Sequence, residues 1–154
     1  LNTTAREIVL DTRQLHIETV RVGKGEELVA AKFQLGETVG ELGEPLTIQL
    51  PDAFTPADAF VVEVKYHTDP ASTALQWLPP ELTAGGEWPM LFSQSQNIHA
   101  RSWIPMQDTP SFRFTYEATL RTPGQLQALM SADNEPDAVR DGVYHFTMPQ
   151  PITS

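Results

Sequence analysis

The 154-residue sequence predicts an all-β domain built as an antiparallel or mixed β-sandwich, and three observations carry that prediction. The chain is cut into short runs by 13 prolines and 9 glycines. Almost no window repeats apolar residues at helical spacing over about three turns. Several runs instead alternate apolar and polar side chains, the period of a strand that buries one face and wets the other.

The elements follow in chain order. Residues 15–22, 28–35 and 46–50 are short apolar runs bounded by Gly, Pro and Asp, and each reads as a strand. Residues 60–67 alternate more cleanly. Phe60, Val62, Val64 and Tyr66 oppose Val61, Glu63, Lys65 and His67, and the run ends at Asp69-Pro70, a turn signal. The clearest strand covers residues 111–121, with Phe112, Phe114, Tyr116, Ala118 and Leu120 on one face and Arg113, Thr115, Glu117, Thr119 and Arg121 on the other. Residues 125–130 favour helix by propensity, but so short a segment makes a poor independent helix, and 126–131 is assigned as a strand. A last strand is expected over 143–148. The acidic, proline-containing stretch 133–142 before it reads as a solvated loop tip. Regular spacing of this kind favours sheets packed face to face.

Bulk composition narrows the function. At this length a single domain can bury roughly 70% of the surface of its unfolded chain, so a core forms without covalent staples. Ten basic residues against 20 acidic ones give a formal charge of −10, which opposes binding to a phosphate backbone. Nucleic acid is therefore excluded as a partner. The absence of cysteine rules out disulfides and thiolate metal sites within the chain, and leaves the compartment open between cytoplasm, periplasm and exterior. No run approaches the ~20 apolar residues of a membrane helix, so no membrane partner is expected, and the first ten residues are too polar for a signal peptide.

Residues 73–110 form a connection too long for an ordinary hairpin, and long connections are often functional. Within it, Ser93, Gln94, Ser95, Gln96 and Asn97 place consecutive hydroxyl and amide groups between apolar neighbours, a composition suited to holding a peptide by neutral hydrogen bonds. The competing reading is a polar edge satisfied by water. Trp77, Trp88 and Trp103 bracket the segment and are expected to supply packing area. Arg101 and Asp108 are close enough in sequence to pair, with Asp108 accepting backbone N–H bonds in a turn. His16, His67, His99 and His145 are dispersed, without the spacing of a helical metal pair. A triad of Ser102, His99 and Asp108 can be drawn on paper, but closeness in sequence is not geometry. The chain contains no His-Glu-x-x-His, no phosphate-binding glycine loop and no Gly-x-Ser-x-Gly elbow.

Three stretches in order carry a resemblance: Ala74-Leu75-Gln76-Trp77-Leu78-Pro79-Pro80-Glu81, then the run from Pro89 through Gln94-Ser95-Gln96-Asn97 to Ser102, then Pro105-Met106-Gln107-Asp108-Thr109-Pro110-Ser111. They resemble the leukotriene A-4 hydrolase and aminopeptidase family, the zinc aminopeptidases of peptidase family M1. Val9-Leu10-Asp11-Thr12-Arg13-Gln14-Leu15 is similar to that family's opening strand pair, and Leu129-Met130-Ser131-Ala132 extends the likeness downstream. The resemblance implies an N-terminal, saddle-like β domain that precedes a catalytic domain holding the zinc. By that reading residues 1–154 are one β domain, a fragment lacking the first strands and the downstream catalytic domain. It binds no cofactor of its own, its partner is its own catalytic domain, and it is inactive alone.

Carried over by motif, Gln94 and Gln96 match positions that reach into the catalytic cleft near the free amino end of a peptide substrate, with Ser95 and Asn97 sharing the contact. In broader relatives the Gln96 position is usually a glutamate that pairs with the substrate ammonium. The glutamine here matches the leukotriene hydrolase branch and offers a neutral acceptor. Cysteines common in the family are replaced at Ser95 and Met106, which alters packing only. A free-standing β-sandwich binding module without enzymatic activity is the alternative reading.

Overall fold

The computed structural model describes residues 6–52, 54, 59–134 and 141–153. They divide into two compact units, Leu1–Trp77 with Leu91–Thr109, and Leu78–Met90 with Pro110–Ser154.

The first unit is a sandwich of two three-stranded antiparallel sheets. One sheet has β1 (Glu7–Thr12), β5 (Glu44–Gln49) and β4 (Phe33–Leu35) in the order β1-β5-β4. The other has β3 (Glu27–Ala30), β2 (Leu15–Lys24) and β6 (Val61–Thr68) in the order β3-β2-β6. The core is Val20 and Val22 from β2 meeting Leu46 and Ile48 from β5, all at most 2% exposed, with Phe54 beside them. Phe60, Val62 and Val64 from or beside β6 and Ile8, Leu10 and Phe33 from the other sheet surround it. Each fully buried branched side chain stabilises the packing by about 1.5–3 kcal/mol.

A change of parity within β2 has a physical cause. Leu15 and Ile17 turn inward on odd positions, but Val20 and Val22 do so on even ones. Strict alternation forbids this. The pairing with β6 shifts between Ile17 and Thr19, where Ile17 faces Tyr66 and Thr19 faces Lys65, so Glu18 is the extra residue of a bulge that restores the inward face.

The expected strand over 28–35 is in fact two. Ala31 donates its N–H to Val20 O at 2.9 Å, still on the β2 side, and Lys32 O accepts from Gln49 N at 2.9 Å, already on the β5 side. The chain therefore crosses from one sheet to the other at this dipeptide. An apolar run cannot announce such a crossing, because both halves bury side chains in the same core.

In the second unit β9 (Phe114–Arg121) and β10 (Val143–Ile152) pair antiparallel, with Ala118 opposite Phe146 and Leu120 opposite Tyr144. Tyr144 and Phe146, each 5% exposed, form a core with Ala128, against which Ala118, Leu120, Met130 and Ala132 pack. The strand expected over 126–131 does not form. Its carbonyls accept from side chains instead of a neighbouring strand: Leu126 O from Thr122 Oγ1 (2.8 Å) and Tyr144 Oη (3.0 Å), and Ser131 O from Tyr116 Oη (2.8 Å). Phe112, expected on the buried face of β9, lies before the strand begins and is 49% exposed. The loop tip expected over 133–142 falls largely on residues 135–140, outside the described residues.

The long connection 73–110 is not structureless. It contains β7 (Leu75–Leu78) and β8 (Met90–Ser93), which pair as a two-stranded ribbon, and short 3-10 turns at Pro80–Leu82 and Ala100–Ser102. Trp77 and Trp88, expected to supply packing in a core or a contact between subdomains, are 63% and 45% exposed in this chain, and Trp103 is half-buried.

Candidate functional site

The amide run follows directly from β8. Gln94 donates its N–H to Ala74 O (2.8 Å), the residue before β7, so the run starts from a hydrogen-bonded base. Its side-chain Oε1 turns back to accept the N–H of Gln96 at 2.8 Å. Ser95 O accepts from His99 N at 2.8 Å, closing residues 95–99 into a compact turn. The Gln96–Asn97 peptide bond within it is cis. Gln94, Gln96 and Asn97 are exposed, and Ser95 is half-buried. Among the described residues the side-chain amides of Gln96 and Asn97 have no hydrogen-bond partner.

Beneath this turn the chain is pinned by the Ala100–Ser102 turn, whose three residues are all buried. Ser102 Oγ accepts the N–H of Ala74 (3.0 Å), donates to His99 O (2.8 Å) and lies 2.9 Å from Ser72 Oγ, a residue 6% exposed. Asp108, 1% exposed, accepts from the Arg101 N–H (3.1 Å) and Nε (3.0 Å) through one oxygen, Oδ2. The guanidinium also donates to Asp108 O (2.9 Å) and Leu42 O (2.8 Å). A second carboxylate closes the network, because Asp11 Oδ2 accepts the N–H of Asp108 at 2.9 Å while the Asp11 and Met106 backbones bridge. The expected Arg101–Asp108 pair is thus present. It ties β1, the loop before β5 and the turn below the amide run to one another, and although Asp108 Oδ1 is buried without a hydrogen-bond partner among the described residues, the pair is costly to break from either side.

Trp103 completes the support. Its indole Nε1 donates to Ser95 Oγ at 3.1 Å, and its carbonyl accepts from Tyr66 Oη of β6 at 2.9 Å. Burial pushes the Tyr66 phenol above its ordinary value, which keeps it a neutral donor. Neither bond is visible in the sequence, because Tyr66 is remote along the chain and no neighbour of Trp103 indicates which acceptor its indole N–H takes.

The triad drawn from Ser102, His99 and Asp108 does not assemble. His99 Nδ1 bonds Thr73 Oγ1 at 2.9 Å, Ser102 serves the Ser72 and Ala74 network, and Asp108 holds Arg101. His16 and His67, separate in sequence, stack across β2 and β6 with ring centroids 4.6 Å apart. Asp69 lies 3.3 Å from His16 and Glu18 lies 3.5 Å from His67. Among the described residues no three His, Asp or Glu side chains converge as metal ligands, so these side chains do not fit a zinc site and no catalytic step is assigned to them. A shallow concavity lined by Asp11, Val39, Leu42, Pro45, Arg101 and Asp108 lies over the anchor and includes none of the amide-run residues. Chemically the run is a rim: exposed neutral donors and acceptors on a rigid base.

Over residues 1–154 the chain matches the peptidase M1 N-terminal domain. It is 43% identical to a leukotriene A-4 hydrolase of Xenopus laevis, across 100% of this chain and 26% of that protein. It is 35% identical to a leucine aminopeptidase 2 of Pyricularia oryzae, across 97% of this chain and 24% of that protein. Its fold is similar to that of native leukotriene A4 hydrolase from Saccharomyces cerevisiae, with a TM-score of 0.84, 32% identity and coverage of 99% of this chain and 22% of that one. The chain therefore spans about a quarter of the length of the relatives it matches.

Proposed function

This chain belongs to the peptidase M1 N-terminal domain family, and from that premise we propose that it is the non-catalytic N-terminal domain of a zinc aminopeptidase of the leukotriene A-4 hydrolase type. In this reading residues 1–154 form a single domain of a longer polypeptide. The domain supports the catalytic part and recognises the amino end of the peptide substrate through Gln94, Ser95, Gln96 and Asn97. The zinc belongs to the catalytic part.

The observation that carries the reading is the amide run itself, exposed and without internal partners at Gln96 and Asn97, yet held by a base of buried bonds. An exopeptidase has to measure the distance from the terminal amine to the scissile bond. Groups fixed outside the metal shell do this by orienting the substrate before reaction, and their value depends on rigidity. A glutamine carbonyl can accept from an ammonium, and an amide N–H can donate to a peptide carbonyl. Trp77, Leu91 and Phe92, on the two strands of the ribbon that leads into the run, are exposed large apolar side chains, and cover by the catalytic part would account for them.

The test is Gln96→Ala in the full-length enzyme, assayed on peptides with free amino ends. We expect transition-state binding to weaken by about 1–3 kcal/mol, read as a lower kcat/KM. Unchanged kinetics would remove Gln96 from the site. A reading frame that stops at Ser154, with no His-Glu-x-x-His beyond it, would instead favour the free-standing binding module.

A further inference from the structure

We infer that Trp103 is a positioning residue for substrate recognition, acting through its indole N–H on Ser95. The inference rests on the proposed role of the amide run and adds to it the part that aims Gln96. Beyond the Gln94 N–H on Ala74 O at its start, three bonds constrain the run. Two are local, the Gln94 side chain on the Gln96 N–H and the Ser95 carbonyl on the His99 N–H, and they set the shape of the turn without fixing it to the sandwich. The third joins Trp103 Nε1 to Ser95 Oγ at 3.1 Å, and among the described residues it alone holds the middle of the run by a side chain from outside residues 94–99.

Trp103 is itself held from two sides. Its backbone N–H caps the Ala100–Ser102 turn through Ala100 O at 3.0 Å, and Tyr66 Oη donates to its carbonyl at 2.9 Å from the middle of β6. Ser95 is thereby referenced to a sheet strand through Trp103 and Tyr66. The chemistry also suits a contact residue. An indole N–H can only donate, so Ser95 Oγ acts as acceptor toward Trp103 and its own proton stays available to a substrate carbonyl. With the ring in place, one acceptor position of the hydroxyl is taken, and the N–H of the residue that follows, Gln96, is held by Gln94 Oε1.

The experiment uses the full-length enzyme and aminoacyl-anilide and tripeptide substrates. Trp103→Phe keeps an aromatic ring and removes the donor, and it is expected to lower kcat/KM about fivefold in enzyme that remains folded at the assay temperature. Ser95→Val and Ser95→Thr form an isosteric pair. Valine, which removes acceptor and donor together, should lower kcat/KM at least as far as Trp103→Phe, and threonine, which keeps the hydroxyl, should retain most of it. In the Trp103→Phe background the difference between threonine and valine should shrink to what the hydroxyl's own contact with substrate contributes.

A neutral Trp103→Phe, or a threonine–valine difference that is undiminished without the indole, overturns the inference, since Ser95 would then act alone. Gln96→Ala reports separately on the underlying role. If Gln96→Ala is neutral while Trp103→Phe is harmful, the assignment of Gln96 fails and the positioning role stands on Ser95 and Gln94. If Trp103→Phe does not fold, the valine and threonine pair reads the same bond.

Discussion

Replacing Asp108 by alanine should be among the most damaging single changes in this chain, and the cost can be worked from its contacts. Asp108 and Arg101 are 1% and 5% exposed, so neither partner is screened by solvent. The alanine removes the acceptor of two hydrogen bonds, from the Arg101 N–H at 3.1 Å and Nε at 3.0 Å, and leaves the guanidinium buried. Stranding one member of such a pair costs about 3–5 kcal/mol. Two features pull the value toward the lower end. The guanidinium keeps Leu42 O at 2.8 Å and the Asp108 carbonyl at 2.9 Å, and Asp11 Oδ1 stays within 3.7 Å as a second counter-charge. A cost of about 3 kcal/mol follows, equivalent in a chain of this size to a fall in melting temperature of about 6–12 °C. Urea unfolding followed by circular dichroism measures it as a lower midpoint at constant slope. The double variant Arg101→Met with Asp108→Leu removes both charges and should be less destabilised than the sum of Arg101→Met and Asp108→Leu by about 2 kcal/mol or more. A loss under about 1 kcal/mol for Asp108→Ala, or strict additivity in the cycle, would refute the claim that this pair anchors the loop.

Other expectations follow from single contacts. Tyr66→Phe removes the bond to Trp103 O and should cost about 0.5–1.5 kcal/mol near neutral pH. Because burial raises the Tyr66 phenol above its ordinary value of about 10, the contribution is fully present below that pH and is lost as the pH rises through the folded-state value. The stability difference between wild type and Tyr66→Phe, measured by urea unfolding from about pH 7 to 11, should therefore shrink only above about pH 10, and a difference that shrinks toward acid would contradict the assignment. Gly43 sits at φ +71, and a Cβ there would lie 2.1 Å from Thr12 O. Gly43→Ala should destabilise by about 2 kcal/mol or more, and a melting temperature within about a degree of wild type would show that the loop before β5 can relax.

The fold and the candidate site were legible to different depths, for reasons tied to particular residues. Alternation in residues 60–67 and in Phe114 to Arg121 reports directly which side chains face inward, since the period of a strand is a local property. The Arg101–Asp108 pair was legible because the partners are close in sequence and chemically matched. The amide run was legible as composition, and the family resemblance supplied its expected role. The second pairing partner of each element was not legible. Residues 126–131 look like a strand, yet Tyr144 and Thr122 take the Leu126 carbonyl before any strand can. Two of the tryptophans are not in either core of this chain, because hydrophobicity does not specify which surface a ring covers.

By itself, then, the sequence determined the β class, the inward faces of the main strands, the lack of a metal motif and the place of the polar run, all of which depend on residues near one another in the chain. The tertiary structure alone decided that the run 28–35 crosses between sheets, that Glu18 is the extra residue of a bulge, that His16 stacks on His67, and that Tyr66 and Trp103 support Ser95. Each of these depends on register between strands distant in sequence. Register is set by how two sheets share one core, a property of the packed chain that no local pattern encodes.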